Sequence, residues 1–192
     1  MVEELQELEE KTLAAIKWTA AEFNYANNLK EILDKVEKEG AEEAVKDLRK
    51  AFQALRYMGR CEYKAEREEK EILKALKEIE KILPENWKKI DQKLVTELDV
   101  ARGKLVKLAS RFTSKLSGEL KKIRKEELTI EHFEDKKDTD PAIVKKLKDE
   151  LVILLETAEG EIEELIKWIG GTAAILEKIE KGFVEKLKQL AA

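Results

Sequence analysis

WKKIDQKLVTELDVARGKLVKLASRFTSKLSGELKKI, residues 87–123, decides the fold. Trp87, Ile90, Leu94, Leu98, Ala101, Leu105, Leu108, Phe112, Leu116, Leu120 and Ile123 recur every three or four residues along it. Side chains at that spacing share one side of an α-helix, which turns once in 3.6 residues, whereas a strand alternates with a period of two. The phase survives Gly118, so the spacing predicts one long helix, with Ser117-Gly118 as a point where it can kink.

Three further stripes flank this one. Before it, Leu5, Leu8, Thr12, Ala15, Ile16, Ala20, Phe23, Ala26, Leu33 and Val36 form the first, which ends at Lys38-Glu39-Gly40. There Gly40 is expected to supply the left-handed residue of a helix C-terminus. Ala44, Leu48, Phe52, Leu55 and Met58 begin the second, which thins where Glu62, Glu66 and Glu69 occupy expected apolar positions, then resumes at Ile72, Leu76, Ile79 and Leu83. Pro84 stops it. After a charged connection expected over Thr129–Asp140, Asp140-Pro141 reads as an N-cap with proline at the first helical position. The fourth stripe then runs Val144, Leu147, Leu151, Leu154, Ala158, Ile162, Leu165, Ile169, Thr172, Leu176, Ile179, Phe183, Leu187 and Leu190.

Four helices of about 40 residues, each roughly 60 Å long, joined by short connections, predict an all-α, coiled-coil-like, antiparallel up-down bundle in one domain spanning residues 1–192. Breaks at Asn24–Asn28, Gly118 or Gly170-Gly171 would instead give five to seven shorter helices.

The composition agrees: 42% of residues are charged, with two prolines and eight glycines. Such sequences make helices and coiled coils. High Glu and Lys with little Cys and Met also match the composition of thermophile proteins. The acidic start Met1-Val2-Glu3-Glu4 does not resemble a secretory signal, and the longest apolar run, Leu151–Leu155, is too short to cross a bilayer, so a cytoplasmic chain without a membrane span is expected.

Chemistry-bearing sets are few. Cys61 is the single cysteine and His132 the single histidine, which excludes the common Cys/His metal frameworks and any internal disulfide. Neither a Ser/His/Asp nor a Cys/His set can be assembled, so no catalytic residue and no cofactor is assigned. Glu3, Glu4 and Glu7 with Glu31 and Asp34 loosely fit a Mg²⁺ pattern. On one straight helix they stand about 40 Å apart, and no metal site is assigned.

Two sets remain. If the first two helices form a hairpin about Gly40, residue i faces roughly residue 80 − i. Asn24, Asn27 and Asn28 then meet Gln53, Arg56, Tyr57 and Arg60, with Glu62 beyond, as a polar layer able to hold a small polar ligand or to fix register. The second set is electrostatic: residues 86–125 hold twelve Lys and Arg against four acids. Lys104, Lys107, Arg111 and Lys115 follow helical spacing there, a ridge suited to a nucleic acid or other polyanion, or to an acidic neighbouring helix.

These features point to a non-enzymatic helical interaction or scaffolding protein with a protein partner or a second copy of itself. The motive is Leu151-Val152-Ile153-Leu154-Leu155, which covers more of the helix circumference than one bundle stripe needs. Polyanion binding through the ridge and a metal- or small-molecule-binding bundle enzyme are the alternatives.

Overall fold

The computed structural model describes residues 2–191 and is 94% helical, with no strand among them and four long helices packed together. These are α1 (Val2–Lys38), α2 (Ala41–Glu80), α3 (Glu85–Glu134) and α4 (Pro141–Ile179); a π-helical turn, Glu180–Val184, then leads into a short α5 (Glu185–Ala191). Asn24–Asn28, Gly118 and Gly170-Gly171 all lie inside unbroken helix, so the shorter-helix alternative is not what forms. No helix among the described residues is long and apolar enough to cross a membrane.

The turns follow from local hydrogen bonding. The Glu39 N–H donates to the Lys35 carbonyl and the Ala44 N–H to that of Gly40, which makes Gly40 the N-cap of α2. No described glycine has a positive φ, so the left-handed cap expected at Gly40 is not used: α2 starts at once, and glycine is a tolerated N-cap. Before Pro84, Lys81, Ile82 and Leu83 each donate three residues back and tighten the end of α2. The Pro84 carbonyl then accepts from Trp87 and Lys88. Asp140 Oδ1 accepts from the Ala142 N–H at 3.0 Å, the cap that Asp140-Pro141 predicts.

α3 extends beyond Thr129, where a connection was expected. Ile130 is buried and holds the added turn to the core, leaving only the charged residues 135–140 as loop. His132, expected in that loop, therefore sits in the last turn of α3.

The chain folds as two compact units, each drawing on all four helices. Unit 1 takes the segments up to Phe23, Gly59–Ala109 and from Lys167 onward; unit 2 takes Asn24–Met58 and Ser110–Ile166. Each unit thus joins the early part of one helix to the late part of the next, the pattern of antiparallel neighbours. Leu8, Ile72, Leu76, Ile79, Leu98, Leu176 and Phe183 form the centre of unit 1, where the Trp87 ring tilts against Phe183 at 5.9 Å. Leu29, Leu33, Leu48, Leu116, Leu120, Ile123 and Ile162 are among the fully buried aliphatics of unit 2.

Burial resolves the stripes into strict heptads. On α1 the series Leu5, Leu8, Thr12, Ala15, Thr19, Glu22, Ala26, Leu29, Leu33 and Val36 is buried, with Ile32 buried beside it. On α2 the series Ala44, Leu48, Ala51, Leu55, Met58, Glu62, Ala65, Glu69, Ile72, Leu76 and Ile79 is buried and continues to Leu83 just past its end. Both series alternate steps of three and four without a fault, the spacing of a coiled-coil seam. Three expected core residues are displaced by it. Ala20, Phe23 and Ile90 face outward, while Thr19, Glu22 and Asp91 take the seam. Leu190 is also exposed, and the Phe112 side chain lies outside the described residues.

Candidate functional site

In unit 1 the two heptad series bring carboxyls, not aliphatics, to the seam. Glu22 of α1 is 2% exposed, and Glu62 and Glu69 of α2 are 9% and 1% exposed. Glu62 and Glu69 are one heptad apart, so both point to the same side of α2. As carboxylates, Glu22 Oε1 and Oε2, Glu62 Oε2 and Glu69 Oε1 are buried without a hydrogen-bond partner. Burial drives the Glu22 carboxyl up to about 11, helped by its hydrogen bond with Glu62 and by the charge of Glu69. Glu62 is raised by burial, offset in part by the Glu22 hydrogen bond. Glu69 rises to about 8, again through burial first, with Glu62 adding to the shift and Arg102 opposing it.

Arg102 is the cation that acts on Glu69; its two terminal nitrogens are directed to other acids, while its Nε is buried without a hydrogen-bond partner. Nη1 lies 3.4 Å from Glu66 Oε1 and Nη2 3.5 Å from Asp99 Oδ1. Lys70 takes a further place on Glu66, at 3.2 Å. One α1 turn before Glu22, Thr19 Oγ1 is also buried and unpartnered. By contrast Thr12 and Thr172 return their hydroxyls to the carbonyls of Leu8 and Trp168.

Acids in the seam recur elsewhere. Asp91 of α3 is fully buried in unit 1 and pushed to about 7, by burial and then by Glu80. In unit 2, burial raises Glu119 and Glu127 to about 7. There Lys115 pairs with the buried Glu161, which also hydrogen-bonds Glu119. A more open acidic group in unit 2 has Asp34, Glu37 and Glu159 oxygens within 4.8 Å of one another, with Asp34 and Glu37 exposed.

The polar layer does not gather in the core. Asn24, Asn28, Gln53, Arg56 and Arg60 are exposed, Asn27 and Tyr57 half-buried, and of the set only Glu62 is buried. Asn28, Gln53 and Tyr57 do line an open groove of about 550 Å³ in unit 2, beside Tyr25, Asp47 and Lys50. At the groove the Tyr25 and Tyr57 rings stand 5.4 Å apart, and Gln53 Nε2 donates to the Tyr57 hydroxyl at 3.2 Å. Asp47 is buried, and a hydrogen bond from Glu39 keeps its carboxyl below the ordinary value.

The basic ridge is engaged at both ends. Lys104 Nζ lies 4.8 Å over the Trp168 ring, and Lys115 is held by Glu161. Lys107 and Arg111 are exposed. Trp18 similarly carries Lys64 over its face at 4.1 Å, so Trp18 and Trp168 each hold a lysine while Trp87 packs on Phe183. Cys61 is buried, which raises its thiol, and unpaired by any disulfide.

Sequence reading noticed Glu62 and Glu69 as interruptions but missed Glu22 and Asp91. Carrying the three-four alternation inward from Leu5–Ala15 and from Ala26–Val36 lands on Thr19 and Glu22, so the heptad template was the available signal.

No protein-family model matches the chain, and neither curated proteins nor solved structures yield a match.

Proposed function

We propose that this chain is a non-enzymatic helical interaction module that pairs with a second copy of itself through the outer face of α4 in unit 2. Leu151 and Leu155 of the run Leu151–Leu155 are buried, whereas Val152 is 38% and Ile153 63% exposed. This outward pair, rimmed by Lys148, Asp149, Glu156 and Thr157, is the observation that carries the reading. An apolar pair with a polar border is how an interface core meets its rim.

The size of the patch sets the strength of the pairing. A two-fold contact buries each residue twice. At about 1.5–3 kcal/mol for a fully buried aliphatic side chain, the gross gain is several kcal/mol, set against association costs of about 4 kcal/mol or more. The pairing is therefore weak and concentration-dependent. Sedimentation equilibrium should show the mass rising above the 22.1 kDa monomer as concentration increases. Val152→Lys with Ile153→Lys should return it to the monomer with the helical content unchanged. A wild-type chain that stays monomeric at millimolar concentration removes the proposal.

A further inference from the structure

We infer that the seam of unit 1 folds around a stored proton, with Glu22 held as the neutral acid and donating to Glu62, so that the unit is a proton-binding latch that alkali loosens. The placement of charge carries this. Glu22 of α1 and Glu62 and Glu69 of α2, the latter two one heptad apart with Ala65 between them, are three seam carboxyls, all at least nine-tenths buried. The groups acting on them are Cys61, Glu62, Glu66 and Glu69 of α2 and Arg102 of α3; α4 adds no charge to that set. The one cation among them is already shared between Glu66 and Asp99.

Three ionised carboxylates beside a single cation that is shared with two further acids are too costly to bury, and a proton is the smallest neutralising group available. A proton on Glu22 also repairs the hydrogen bonding. Two carboxylates can only accept, whereas an acid beside a carboxylate makes a donor–acceptor pair from oxygens that otherwise have no partner. Folding takes this proton from solvent, and raising the pH returns it to hydroxide as water.

The direction of the pH effect follows. An unfolded glutamate loses its proton near pH 4.3, while folded Glu22 keeps it toward about 11. The stabilisation is complete below the unfolded value and is lost as the pH climbs toward the folded one. Glu69, near 8, adds a second proton only below that pH. Between about pH 8 and 9.5 the folding equilibrium constant should fall about tenfold per pH unit through Glu22 alone.

Urea unfolding of the wild type and Glu22→Gln across that range tests it. Gln keeps the shape and a donor without the titration, so the tenfold-per-unit decline should disappear and the variant should overtake the wild type at pH 9.5. An unchanged slope with a less stable variant would mean that Glu22 is ionised, and the proposal fails. Infrared spectra of the wild type give a second reading that needs no variant: a buried protonated carboxyl should persist at pH 8.5, and its absence overturns the latch. If Mn²⁺ or Ca²⁺ raises the melting temperature of EDTA-treated protein at pH 7 but not that of Glu22→Gln, a metal supplies the charge and the proton does not.

Discussion

Replacing Phe183 by alanine should destabilise unit 1 more than any surface change. The ring is fully buried, at the π-helical turn, against Trp87 at 5.9 Å and within the cluster of Leu8, Ile79, Leu98 and Leu176. Removing a buried phenyl ring costs about 3–5 kcal/mol, combining lost transfer energy with the cavity left behind. The tilted ring pair contributes a further ~0.5–1.5 kcal/mol that belongs within the upper part of that range. Taking about 4 kcal/mol, and about 2–4 °C per kcal/mol for a chain of this size, the melting temperature should drop by roughly 8–16 °C. Trp18, Trp87 and Trp168 all lie in unit 1, so tryptophan fluorescence follows that unit while far-UV circular dichroism follows every helix. Phe183→Leu, which keeps most of the volume, should lose less than about 1.5 kcal/mol. A Phe183→Ala chain melting within about 2 °C of the wild type by fluorescence, the shift expected from under 1 kcal/mol, would refute the placement of this ring in the core.

Lys115→Met should lower the urea midpoint at pH 8, because it strips the cation from Glu161 and leaves it buried beside Glu119. The loss should shrink at pH 5, where the two carboxyls share a proton, since Glu119 titrates near 7; urea midpoints at the two pH values check this. Gly160→Ala and Gly171→Ala should each stabilise by about 0.5–1 kcal/mol. Both glycines are helical, and a Cβ added at either would meet no neighbouring atom within 4 Å, so a double variant that melts lower than the wild type contradicts the unbroken α4.

The number and direction of the helices were legible in the sequence because Leu, Ile and Ala hold a helical period longer than any glycine can interrupt. What was not legible was the choice between adjacent residues where the stripe turns polar. At Glu22-Phe23 and Ile90-Asp91 hydrophobicity favours the aromatic and the isoleucine, yet the structure buries the acid in both cases. The phase of the whole helix decides such a position, since ten seam residues of α1 fix the rotation that one phenylalanine would oppose. The polar layer failed for the complementary reason. Pairing about Gly40 relates positions along two helices but not their rotation, and Asn24, Gln53 and Arg56 are rotated outward.

The π-helical turn at Glu180–Val184 has a consequence for how such a chain tolerates changes in length. Along α4 the seam steps alternate four and three from Leu151 to Ile179, then run four and four through Phe183 to Leu187. One residue more than the repeat allows is accommodated there, with Phe183 and Val184 both turned inward. Elsewhere an inserted residue would rotate everything downstream by about 100° and carry the seam out of the core. A π bulge confines the surplus to one wide turn. Deleting Gly182 should thus be better tolerated than deleting a residue from the middle of any long helix, and this turn is where the gene can gain or lose a codon without rewriting the bundle.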